Sequence, residues 1–259
     1  HAEGYHTMAS GSGCHAEGSN TKASGIFGHA EGYYSEASGM YSHAEGYYSE
    51  ATELSSHAEG YHAKADGKYS HAEGFLTNAT GDGSHAEGSY IYYTVKLSGE
   101  ANATTYTFPA NEEPYAYNAD AIIGSWISPG TSTLTPTYKI INATVTNYKI
   151  ESITLDETIN SSEALSNYSC VLAMGPKAAN DGSHSEGVGS FTNQVSAHAE
   201  GYQTSAVGEK GSHAEGHLTI AKGQTQHVQG KYNIVDSSNT YAHIVGNGTE
   251  IEIGRAVQQ

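Results

Sequence analysis

Small apolar residues recur along this chain with two periods at once. Ala and Gly alternate with polar residues in the tetrapeptide His-Ala-Glu-Gly. That tetrapeptide begins at His1, His15, His29, His43, His57, His71 and His85, fourteen residues apart each time. Seven residues later a second Ala-x-Gly follows: Ala2/Gly4 is echoed by Ala9/Gly11, Ala16/Gly18 by Ala23/Gly25, and Ala30/Gly32 by Ala37/Gly39. One unit departs, with Glu53 where Gly is expected after Ala51. Alternation with a period of two marks a strand. Each unit therefore predicts a flat coil of two strands of about four or five residues, joined by two tight turns. Ala and Gly face inward in this reading, His and Glu outward. Successive coils stack at about 4.8 Å, so the first block spans roughly 30 Å.

A helix does not fit the same pattern, because two Gly per unit would each cost about 0.5–1 kcal/mol in a helix interior. Nor is there the large apolar seam that a coiled coil needs. The Ala-Gly wall buries little area, and apolar burial is worth only about 25 cal/mol per Å². The larger residues lie elsewhere in each unit: Tyr5, Tyr33, Tyr47, Tyr61 and Phe75 just after HAEG, and Ile26, Met40 and Leu54 in the second half. Such rows on a repeat protein mark an interface, so the missing burial is expected from identical neighbours.

The repeat stops for about a hundred residues and returns as HSEG at His184 and HAEG at His198 and His213, with eroded copies HVQG at His227 and HIVG at His243. This divides the chain into 1–88, an insert 89–183, and 184–259. The insert holds Trp126 and all of Pro109, Pro114, Pro129, Pro136 and Pro176. Its runs SYIYYTVKL (89–97), TTYTF (104–108), TYKIINATVTNYKI (137–150) and ESITL (151–155) predict short strands of a small β domain. The stretch ISPGTSTLTP (127–136) reads as a loop.

Composition narrows the partners. The formal charge is −17, with 11 Lys plus Arg against 28 Asp plus Glu. This speaks against nucleic acid and anionic membrane surfaces, and no apolar run is long enough to span a bilayer. Cys14 and Cys170 are too far apart in sequence to give a disulfide framework or a metal spacing. The chain starts inside a repeat without Met, which reads as a fragment or processed product.

The candidate chemistry sits in the repeat itself. His15/Glu17, His29/Glu31, His43/Glu45, His57/Glu59 and His71/Glu73 lie on one strand face and build two ladders. Imidazole and carboxylate together suit zinc-like ions. The expected role is nonetheless a hydrogen-bonded structural ladder, with no metal and no cofactor, because metal sites are rarely repeated identically. Protonated His would offset stacked Glu, so stability is expected to hold or rise down to about pH 5.5. GSGC (11–14) and GDGS (81–84) are turns, since no GxxxxGK[ST] is present. Glu112, Glu113, Asp120, Glu151, Asp156, Glu157 and Glu163 read as scattered surface acids, and no catalytic residue is assigned. Tyr115, Tyr117 and Trp126 are the candidate ligand contacts of the insert, and the Tyr rows could stack on sugar rings.

Repeats such as HAEGYYSEASG (29–39) resemble the head repeats of YadA-type trimeric autotransporter adhesins, and more closely the HAEG-repeat proteins of bacteriophage tails and appendages. The segment 226–249 is similar to the end of phage repeat arrays. The resemblance implies an all-β fold, a left-handed parallel β-roll with an inserted small β domain, assembled as a homotrimer. It implies a structural, receptor-binding part of a phage tail fibre in the virion, meeting a glycan or protein on the bacterial surface. The alternatives are a bacterial adhesin head on the cell surface, or a surface-polysaccharide depolymerase.

Overall fold

Each complete HAEG tetrapeptide from His15 on opens a strand of five residues, as in His29–Tyr33, His43–Tyr47 and His57–Tyr61. Neighbouring strands pair in parallel with His on His, Ala on Ala, Glu on Glu and Gly on Gly. In the computed structural model, which describes residues 1–109, 114, 116, 118–129, 138–147, 149–159, 165–233 and 235–248, twelve such strands form one wall of a β-solenoid. The second wall is thinner than the pattern implies. Its ten strands are two residues each, for example Lys22–Ala23 and Glu36–Ala37. The described residues contain no α-helix.

The core between the walls is almost wholly alanine. Ala30, Ala37, Ala44, Ala51, Ala58 and Ala65 are all fully buried. The eroded copies keep the register, and Val228 and Ile244 replace Ala at the same inward position. The HAEG glycines are not inward-facing partners of that alanine. Gly46 is exposed and has φ +110°. A Cβ there would overlap the backbone carbonyl of Gly60 in the next coil. Close stacking of backbones, not core volume, is what demands glycine.

Each turn of a coil bends at one residue with positive φ, and these residues are often bulky. Tyr34 and Tyr48 have φ of 56°, Tyr41 has 58°. Such a conformation costs a non-glycine residue about 1–2 kcal/mol. The stack holds it in place: Tyr34 N–H donates to Ser19 O at 2.9 Å and Tyr48 N–H to Tyr33 O at 2.8 Å. Buried serines close the remaining gaps, with Ser42 Oγ donating to Gly39 O at 2.7 Å and Ser70 Oγ to Gly67 O at 2.6 Å.

The ladder runs past the insertion without a break. His85 to Ser89 pair with His184 to Val188, and Asn78 and Ala79 pair with Lys177 and Ala178. The solenoid thus reaches inward from both sides of 89–183, and the inserted chain leaves and returns between the two strands of a single coil. The inserted unit is Ile91–Met174. It is a closed antiparallel barrel. Around it, Ile91–Gly99 is followed by Thr105–Thr107, Lys149–Leu155, Tyr138–Thr146, Trp126–Pro129 and Leu165–Met174, which closes on Ile91–Gly99. Its core gathers Leu97, Tyr106, Ile127, Ile140, Ile153 and Leu172. Tyr106 Oη donates to Ala103 O and accepts from Ile159 N–H.

The thin wall ends in a side-chain cap. Where earlier coils offer backbone, as Thr219 O does to Ser205 N–H, Asn233 offers its carboxamide. Its Oδ1 accepts from Ile220 N–H at 2.7 Å and its Nδ2 donates to Ile220 O at 2.9 Å.

Candidate functional site

In-register pairing turns every HAEG position into a column. The imidazoles stack at 4.8 Å between His29 and His43, 4.7 Å between His57 and His71, and 4.7 Å across the insertion between His85 and His184. The column continues through His198, His213, His227 and His243. Beside it runs the glutamate ladder, in which Glu17 pairs with Glu31, Glu31 with Glu45 and Glu45 with Glu59 along the backbone. Nε2 of His15 lies 3.5 Å from Oε2 of Glu17, and the same gap is 3.6 Å in His29/Glu31 and His43/Glu45, 3.5 Å in His57/Glu59 and 3.6 Å in His71/Glu73. The later pair His198/Glu200 stands at 4.0 Å.

These distances correct the expected hydrogen-bonded ladder. A hydrogen bond to oxygen closes to about 2.7–3.2 Å. Within the chain, Glu17, Glu31 and Glu45 therefore accept no hydrogen bond from His15, His29 and His43, where the sequence reading expected one, and Glu59 and Glu73 accept none from His57 and His71. The physical reason is solvent. The side chains of Glu17, Glu31 and Glu45 are 48, 39 and 39% exposed, so water solvates the carboxylates. The Nε2 atoms of His15, His29, His43, His57 and His71, by contrast, are buried and have no hydrogen-bond partner.

Some histidines of the column resist protonation. Burial first, and then the neighbouring imidazoles, hold His43, His184, His198 and His213 below the ordinary histidine value; the facing glutamates oppose this without cancelling it. For His43 those opposing carboxylates are Glu45 and Glu31. His57 and His227 are lowered for the same leading reason. Burial pushes His62, in the adjoining turn, down to about 4. The unfolded chain then binds more protons below pH 6.5 than the folded chain does. For these shifted histidines the expectation of stability held or gained down to pH 5.5 is reversed.

Two aromatic columns flank the turns. Tyr33, Tyr47, Tyr61 and Phe75 stack at 5.1, 4.8 and 4.4 Å, nearly parallel. Tyr34, Tyr48 and His62 stack at 4.7 and 4.9 Å. Their ring faces are covered by one another, so within the column only edges and hydroxyls reach outward. Stacking on a sugar needs a free face, which the inner rings of these columns lack, while Tyr5 at the end of its row is 66% exposed and meets a ring only edge-on, at His6. On the opposite turn Ile26, Phe27, Met40, Tyr41 and Tyr69 are exposed.

Trp126 opens a barrel strand, half-buried, paired with Lys139 and Ala173. Tyr115 and Tyr117 lie outside the described residues, as do Glu112, Glu113 and Glu163. Of the remaining acids, Asp156 accepts from Lys139 N–H at 2.9 Å and Asp120 sits in a short 3-10 turn. Cys14 and Cys170 are free and buried, and burial pushes the Cys170 thiol up to about 12. No helix is long and apolar enough to cross a membrane among the described residues. No protein-family model matches the chain, and no curated protein matches it significantly.

Proposed function

We propose that this chain is the stiff, repetitive part of a homotrimeric attachment fibre, a phage tail fibre or appendage that meets a glycan or protein on a bacterial surface. A β-solenoid is compatible with a fibre or adhesin-type structural role. The observation that carries the finer reading is the pair of apolar rows on an alanine-cored rod. Phe27, Tyr41 and Tyr69 are more than half exposed, at 55, 56 and 63%, on a unit whose own core offers little burial. A row with one residue per coil matches best a second row of the same rise, and identical copies side by side supply it. The barrel 91–174 is the receptor-contacting module in this reading, and no catalytic role is assigned to it.

Sedimentation of the full chain tests the assembly, with a trimer as the expected species. A well-folded lone subunit in dilute buffer would remove the trimer. Joining Tyr90 to Gly175 tests the module: the shortened chain assembles as before but no longer binds host cells.

A further inference from the structure

The Nε2 atoms between the histidine and glutamate ladders are buried and have no hydrogen-bond partner among the described residues. A buried polar atom with no partner calls for a bound water or ion. The spacing distinguishes the two. From His15/Glu17 to His85/Glu87, Nε2 and Oε2 stand 3.3–3.6 Å apart. This is too long for a direct hydrogen bond. It matches two neighbouring ligands on a tetrahedral ion, whose bonds of about 2.0–2.2 Å set N and O roughly 3.4 Å apart. A third donor is near: in His57/Glu59/His71 and in His71/Glu73/His85 the three ligand atoms lie within 4.8 Å of one another.

We propose that the groove between these ladders binds Zn²⁺ or a similar first-row divalent ion. Nε2 of one His and the carboxylate of the Glu two residues on, as in His57/Glu59 and His71/Glu73, are the paired ligands. Glu17, Glu31 and Glu45 offer the same two-atom pairing with His15, His29 and His43. Mixed imidazole and carboxylate donors select this class, whereas Ca²⁺ and Mg²⁺ prefer oxygen alone. The stacked rings limit what the third donor does. His57 and His71 are 4.7 Å apart and 2° from parallel, so their lone pairs point side by side and one ion does not lie in both ring planes. The second imidazole joins only by turning about its Cβ–Cγ bond, and water fills the other positions. Neighbouring sites are about 4.8 Å apart, where two dications repel, so ions occupy alternate coils. Each ion also neutralises stacked Glu carboxylates, in a chain of formal charge −17.

Equilibrium dialysis of the full chain against ZnCl₂, with metal quantified per chain, tests this. Several ions per chain are expected, fewer than one per HAEG coil, and none from CaCl₂ or MgCl₂ at the same concentration. In the variant E31Q/E45Q/E59Q/E73Q the number of bound ions falls by roughly a third to two fifths, as alternate occupancy of the remaining pairs requires, while in H6N, which lies off the column, it is unchanged. Equal zinc binding by the Gln variant and the parent means scattered surface histidines are the ligands, and overturns the proposal. If the Gln variant does not assemble, Co²⁺ on the parent decides. Intense visible bands of a four- or five-coordinate N/O site are expected, and the pale spectrum of aqueous Co²⁺ overturns the site.

Discussion

Replacing Gly46 by Ala isolates what the close stacking of coils is worth. Two costs are visible. Gly46 sits at φ +110°, a region that costs an L side chain about 1–3 kcal/mol. Its new Cβ would also overlap the carbonyl of Gly60, which now accepts from Ser49 Oγ at 3.2 Å. Relieving the overlap weakens that bond and an inter-coil bond, at about 0.5–1.5 kcal/mol each. The sum is about 2–6 kcal/mol of local stability. Gly83→Ala is the control. Gly83 has φ +65° and open space where Cβ would lie, and Tyr41 and Tyr69 hold the same place in other coils at φ 58° and 59°. Its cost is about 1 kcal/mol. Repeat arrays unfold in parts, so the assay is native-state hydrogen exchange, read at the amides of Tyr48 and His62, which bond to Tyr33 O and Tyr47 O. Gly46→Ala speeds their exchange by roughly one and a half to four orders of magnitude, at about 1.4 kcal/mol per tenfold. Exchange no faster than in the control would refute the argument that carbonyl overlap selects glycine.

Other consequences are open to simpler assays. In chelator-containing buffer, thermal stability falls as pH drops below about 6.5, because His43, His57, His198 and His213 are held below the ordinary histidine value and His62 is pushed down to about 4. A flat or rising melting temperature across that window contradicts it. Asn233→Ala strips the cap from Ile220 and costs about 2 kcal/mol at that end, seen as fast exchange of the Ile220 amide while the Ser205 amide stays protected. Tyr106→Phe removes both bonds of its hydroxyl and lowers the barrel's stability by about 1–3 kcal/mol; barrel-core amides read this, and unchanged protection counts against it.

Much of the solenoid was legible because each coil repeats the same short-range rules. Alternation placed Ala30 and Ala44 inward, and the eroded HVQG and HIVG copies kept the register despite losing the Ala. The glycines were legible in place but not in role. Alternation accounts for a small inward side chain, whereas Gly46 answers to a neighbouring backbone a coil away. The turns were hidden for a related reason. Tyr34 and Tyr48 carry no local signal for positive φ; the stack imposes it. Lys177–Ala178 rejoin the thin wall before any HAEG motif reappears, because a two-residue strand leaves almost no pattern. In the barrel, strand-rich runs were visible, but closure depends on pairs such as Ile91 with Met174, far apart in sequence. The ladder of Glu17, Glu31 and Glu45 was legible in position but not in bonding. His and Glu two residues apart spell a hydrogen bond as readily as the open gap of 3.5–3.6 Å that is found. Only distances separate the two.

Because the barrel leaves and rejoins the rod within one coil, His85 is bonded to the same kind of neighbour on both sides, as if nothing had been added. The parallel ladder is continuous through backbone bonds that do not run through the inserted unit. In the fibre reading, the inserted unit then has no mechanical duty. Its sequence can drift, or be exchanged for another with closely spaced ends, while the solenoid ladder stays as it is.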